Sequence, residues 1–254
     1  MARRFKLLIE YDGRPFAGWQ IQANAPSIQA ALTKAIHAFT GEQVIVHGAG
    51  RTDAGVHANG QVAHVDIEKA ISPQRFLGAI NHHLKPHPIS VLSAEIVGDD
   101  FHARFSARRR SYRYEIINRP SRLSFAEGLA WHVSRPLDAD AMQEGANHLL
   151  GQHDFTTFRH SACQARSPIR TLDLLRVERL DDRLHIHVSA LSFLHHQVRS
   201  MVGSLELVGA GKWPPIMMKE ILEAKDRCAL ALTPRPSGFI SPASIIRVLT
   251  LDNV

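Results

Sequence analysis

An α+β fold in two halves, each an antiparallel sheet with helices on one face, is what this sequence predicts. Three observations predict it. Strand-like and helix-like periodicities alternate as βαββαβ over residues 5–97, a similar order recurs after residue 110, and a run of arginines marks the junction.

The elements follow in order. Phe5 to Tyr11 alternate as a strand. Ser27 stands as N-cap to a helix whose apolar positions, Ile28, Ala31, Leu32, Ala35, Ile36 and Phe39, repeat at helical spacing until Gly41 ends it. Val44 to His47 form a short strand that runs into a glycine-rich loop, Gly48 to Ala58, and Gln61 to Ile67 form another on its far side. Ser72 and Pro73 open a second helix by the cap-then-proline rule, with Phe76, Leu77, Ile80 and Leu84 inward, and Ile89 to Val97 close the unit. This is the split βαβ or ferredoxin-like order, whose helices cover one sheet face and leave the other free to bind.

In the second half, Ser111 to Ile117 and Leu129 to Ser134 read as strands, and Asp138 caps a helix to Leu150. Arg170 to Leu180 and Arg183 to Ala190 make a hairpin around Asp181 and Asp182, Phe193 to Val208 a helix, and Ile245 to Leu251 a late strand. Met217 and Met218 lie in a further helix with Ile216, Ile221 and Leu222, where they fill core. The duplication is one of pattern only, since no repeat of residues is visible. The expected domains are therefore 1–104 and 105–254, two RRM-like halves whose sheets join centrally with an RNA-binding cleft on the open face.

With 44% hydrophobic residues in 254, the chain has ample material for a core. Thirty Lys and Arg against twenty-four Asp and Glu give +6, and Arg104, Arg108, Arg109, Arg110 and Arg113 crowd together in a pattern that suits a phosphate backbone. A solvated basic surface is the alternative. Interleaved Phe105, Tyr112 and Tyr114 favour nucleic acid, because aromatic faces stack on bases. Cys163 and Cys228 are far apart in sequence, which argues against a disulfide framework or a cysteine zinc site. No apolar window approaches the length of a membrane span, so the chain reads as a soluble cytoplasmic protein.

The glycine loop carries the chemistry. Asp53 can project a carboxylate from a strand end into a cleft and act as a nucleophile, or it can serve as a turn former bonded to its own backbone. A dinucleotide loop fails, because Asp53 stands where the third glycine of the fingerprint belongs. Sixteen histidines are present, but no helical pair at i, i+4 carries the Glu of a zinc protease. Surface or RNA-contact roles are expected for most of them, with no metal and no cofactor.

Six stretches, in order, resemble the tRNA pseudouridine synthase A family. They are Tyr11-Asp12-Gly13 with Phe16, Gly18-Trp19-Gln20 and Gln22; Gly48 to Ala58; Phe101 to Ala107; Tyr112-Arg113-Tyr114; Gly151 to Phe158; and His195 to Arg199 with Val202-Gly203. The resemblance implies isomerisation of uridine to pseudouridine at positions 38, 39 and 40 of the tRNA anticodon stem-loop, by a homodimer and without a cofactor. It makes Asp53 the nucleophile, Tyr112 the tyrosine that stacks on the target base, and Arg199 the arginine paired with the nucleophile, in an active site shared by the two halves. Arg51 is expected to orient substrate, and Arg104 and Arg108 to Arg110 to grip the RNA backbone. The C-terminus departs from the family pattern, and the apolar residue expected under the base is Phe239, with Ile240 as the alternative. Alternatives are a non-catalytic RNA-binding module and a pseudouridine synthase acting on another RNA.

Overall fold

The computed structural model describes residues 2–230 and the backbone of the strand Ile246–Thr250. The chain divides into two compact units: the first runs to Arg110 and takes in that closing strand, and the second begins at Ser111.

In the first unit β1 (Arg3–Tyr11), α1 (Ile28–Thr40), β2 (His47–Gly48), β3 (His57–Ile67), α2 (Pro73–His83) and β4 (Ile89–Val97) appear in the expected order. The Ser27 hydroxyl accepts the Ala30 N–H, and Gly41 ends α1 at φ +80° with its N–H on the His37 carbonyl. Ser72 and Pro73 start α2 as their sequence signature requires. β1 lies between β3 and β4, antiparallel to both. Phe5, Leu7 and Ile9 are fully buried with Ile28, Leu32, Ile36, Phe76 and Ile80, and the Phe5 and Phe76 rings stack at 4.6 Å.

Two expectations are corrected here. The strand expected over Val44 to His47 shrinks to His47–Gly48, since the Val46 carbonyl accepts from the Gln29 side chain of α1 and Ile45 points to solvent. The late strand β10 (Ile246–Thr250), expected in the second half, pairs in parallel with β3 at His57 and Ala58, while β2 pairs further along β3 at Ala63 and His64. The sheet is thus mixed, not purely antiparallel.

In the second unit the elements are β5 (Arg110–Asn118), β6 (Trp131–Val133), α3 (Ala139–Asn147), β7 (Gly151–Asp154), β8 (Ile169–Leu180), β9 (Arg183–Ala190), α4 (Gln197–Gly209), α5 (Met217–Ala224) and a 3₁₀ turn, Arg227–Leu230. The strand order is β5-β9-β8-β7, with β6 parallel to β5. Leu184, Ile186, Val188, Met142, Met201, Leu205 and Met218 make the core. Helix α3 stops before Leu150, its expected end, because Gly151 turns at φ +91° into β7, which pairs with β8. Helix α4 begins at Gln197 and not at Phe193: His196 takes φ +62°, and the Gln197 side chain accepts the Leu194 N–H at 2.9 Å. No helix among the described residues is long and apolar enough to cross a membrane.

Candidate active-site loop and its surroundings

Residues Gly48 to Ala58 leave β2, turn, and enter β3, so the last two of them are already strand. The segment following β1 closes over this loop. The Trp19 N–H donates to the Thr52 carbonyl at 3.0 Å, the Gly55 N–H to the Phe16 carbonyl at 3.2 Å, and the Tyr11 and Thr52 hydroxyls bond at 2.8 Å, buried. Two glycines are required by close approach. A Cβ on Gly13 would stand 2.1 Å from the Val56 carbonyl oxygen, and one on Gly48 would stand 2.5 Å from Cε2 of the Trp19 indole. On the β3 side the Ala49 N–H donates to the Val62 carbonyl and the Gln61 amide to the Gly50 carbonyl, at 2.8 and 2.9 Å.

Asp53 lies within this braced backbone. Its carbonyl accepts the Val56 N–H at 3.1 Å, which closes a turn through main-chain atoms, and its side chain is half-buried between buried Thr52 and exposed Ala54. Arg51 is exposed. Asp12, at the entry to the covering segment, is held by the Arg14 guanidinium at 2.5 Å and faces His57 Nδ1 at 3.1 Å. Partial burial pushes the Asp12 carboxyl up, but the Arg14 hydrogen bonds and the His57 charge outweigh it, and the net shift is downward.

The arginine cluster separates into two kinds. Arg104, Arg108 and Arg109 are exposed. Arg104 lies 5.7 Å over the ring of Phe105, itself 75% exposed, which makes a cationic and aromatic platform at the surface. Arg110 instead folds back, donating to the Ala49 carbonyl at 2.7 and 3.2 Å and to the Arg104 carbonyl at 2.9 Å. It braces the base of the Asp53 loop.

Behind the loop His47, His64 and His102 cluster, with ring centroids 4.9 Å apart for the first pair and 4.5 Å for His64 with His102. His64 is buried, and its Nδ1 accepts the Ala103 N–H at 3.1 Å. Burial, together with the neighbouring His102 and His47, pushes its imidazole down to about 4. Other histidines serve packing: His83 stacks on Phe39 and His87 rests against Phe16.

In the second unit Tyr112 is half-buried on β5, its ring edge-to-face with Phe193 at 5.2 Å. Phe193 is free to reach it because α4 starts four residues later. Arg199 is the third residue of α4, close enough to Tyr114 for its charge to act on that phenol. Tyr114 is a correction: sequence grouped it with base-stacking aromatics, whereas it is 1% exposed, packs against Trp131, and has its hydroxyl pushed up by burial. Before α4 the rings of His160, His195 and His196 gather at 4.1 to 4.9 Å. Phe239 lies outside the described residues.

Sequence reasoning missed the bracing set: Tyr11 on Thr52, Trp19 under Gly48, Arg110 on Ala49, and Phe193 on Tyr112. Gly13, Gly18 and Gly48 were the available signal, since each marks a place where another chain segment touches the backbone.

The glycine loop that carries Asp53, braced by the segment after β1, lies in an α+β unit that also exposes Arg104, Arg108 and Arg109. The family model described as tRNA pseudouridine synthase matches residues 7–106 and 146–238. Relatives named tRNA pseudouridine synthase A are 57% identical in Bradyrhizobium diazoefficiens and 56% in Rhodopseudomonas palustris, each over 93% of this chain and 96% of the relative. The protein of that name from Methylocella silvestris is 57% identical over 93% of this chain and 95% of its own. The chain belongs to the tRNA pseudouridine synthase family, and is an isomerase that forms pseudouridine from uridine in tRNA.

Proposed function

We propose that the chain isomerises uridine at positions 38, 39 and 40 of the tRNA anticodon stem-loop, with Asp53 as nucleophile and Tyr112 and Arg199 completing the catalytic set. The observation that carries this reading is the bracing of the Asp53 loop from both flanks while the side chain keeps access to solvent. A nucleophile needs that combination of fixed position and reach.

The reaction breaks the bond from ribose C1′ to N1 and forms one from C1′ to C5. The C5 proton leaves and N1 gains one, so atoms and electrons balance without a redox partner. Asp53 attacks C1′ or the uracil C6, giving a covalent intermediate that the second step resolves. The target uridine must leave its stack to be reached. Tyr112, steadied by Phe193, offers it an aromatic face. Arg199 supplies the positive charge of the set, and Arg51 orients the substrate. Arg104, Arg108 and Arg109 grip the RNA backbone, with Phe105 beside them; Arg110, expected from its sequence neighbours to do the same, instead steadies the base of the Asp53 loop. The working enzyme is a cytoplasmic homodimer.

Release of tritium from 5-tritiated uridine in an anticodon stem-loop tRNA tests this. Wild type releases it, and Asp53→Asn binds the same RNA but releases none. Full release by Asp53→Asn, or none by wild type, sinks the assignment.

A further inference from the structure

On the β8–β9 hairpin of the second unit, His185 and His187 stand two residues apart on one face of β9, opposite in direction to the buried Leu184, Ile186 and Val188. Glu178 of β8 is the direct cross-strand partner of His185, and Arg176 that of His187. One ligand atom from each of Glu178, His185 and His187 lies within 4.8 Å of the other two. The Glu178 Oε2 is 3.6 Å from the His187 Nε2, close to the ~3.3 Å that separates two ligands on a tetrahedral zinc ion with bonds of ~2.0–2.1 Å. All three side chains are partly exposed, so an ion has a way in.

We propose that Glu178, His185 and His187 form a binding site for a divalent transition-metal ion of the zinc type, which ties β8 to β9 on the open side of the hairpin. Two imidazoles and one carboxylate select zinc, cobalt or nickel over calcium and magnesium, which take oxygen ligands. Arg176 holds the Glu178 Oε1 at 3.3 Å and leaves Oε2 turned to the imidazole, the outer-shell support that orients a ligating carboxylate. Glu115 Oε2 lies 4.0 Å from the His185 Nε2 and adds negative charge behind that ring. Arg113 acts on both imidazoles with the opposite sign, and Arg183 pairs with the other oxygen of Glu115, so Glu178 is the carboxylate that the site itself supplies. This set lacks the helical i, i+4 spacing of a zinc protease. Its histidines have strand spacing, and its third ligand comes from across the ladder.

The test uses the full chain without a histidine tag, stripped with EDTA and titrated with zinc chloride by calorimetry. One equivalent binds the wild type, and affinity falls at least tenfold in both His187→Ala and Glu178→Gln, whose circular dichroism matches wild type in the absence of metal. Zinc raises the thermal midpoint of the wild type and of neither variant. Should His187→Ala fail to fold, the near-isosteric Glu178→Gln decides alone. Absence of saturable binding to wild type overturns the proposal, as does unchanged affinity in Glu178→Gln, which would assign the zinc to other histidines.

Discussion

A single methyl group at Gly48 tests how tightly the catalytic loop is held. Its Cβ would meet the Trp19 indole at 2.5 Å, and Trp19 is buried, so the indole cannot yield without moving the loop. Gly48→Ala is expected to cost about 1–3 kcal/mol in urea unfolding and to lower turnover more than tRNA binding. His64 gives a residue-scale prediction of another kind. Its Nδ1 must stay unprotonated to accept the Ala103 N–H, and its imidazole is pushed down to about 4 against 6.5 in the unfolded chain. The unfolded chain therefore takes up the proton first as pH falls. Stability is complete above about pH 6.5 and declines towards pH 4, by on the order of 1–3 kcal/mol from this group; His102, also pushed down by burial, adds in the same direction. Urea midpoints at pH 7.5 and pH 5 measure the loss. His64→Asn keeps an acceptor and has no proton to gain, so its midpoints should differ less; an equal difference would remove His64 as the cause.

Elements with strong local signals stand where the sequence put them, and those decided by distant partners do not. The caps of α1 and α2 are side-chain events within one turn, so they were legible. Replacing Ser27 by Ala removes the acceptor for the Ala30 N–H and should cost about 1 kcal/mol, read by thermal or chemical unfolding. Strand β7 has no alternation to betray it and exists because β8 offers Leu172 to Ile169 as pairing partners. The start of α4 depends on a left-handed His196 and a side-chain bond from Gln197, neither visible as periodicity. Arg110 looked like its neighbours in sequence, yet the structure turns it onto the Ala49 carbonyl. Arg110→Ala should thus lower kcat by at least tenfold with a smaller change in KM. Arg104→Ala should do the reverse, and equal effects on both parameters in the two variants would contradict the division.

At the scale of the whole molecule the excess of six positive charges acts as a field and not as a set of contacts. Binding to tRNA is expected to weaken steeply as salt rises, and each phosphate-contacting arginine removed should reduce the slope of log affinity against log salt by about one. Filter-binding at several salt concentrations for wild type, Arg104→Ala and Arg109→Ala checks this, and unchanged slopes would assign those arginines elsewhere. The sequence by itself determined the α+β class, the cores of α1 and α2, the loop that bears Asp53, and the family, because periodicity, capping and motif order are local and survive without partners. Only the tertiary structure decided which residues brace that loop, that Tyr114 is core while Phe105 is surface, that the closing strand pairs with β3, and that Glu178 meets two histidines. Each of these depends on groups brought together from separate places in the chain, and burial or cross-strand pairing leaves no periodic trace at either position.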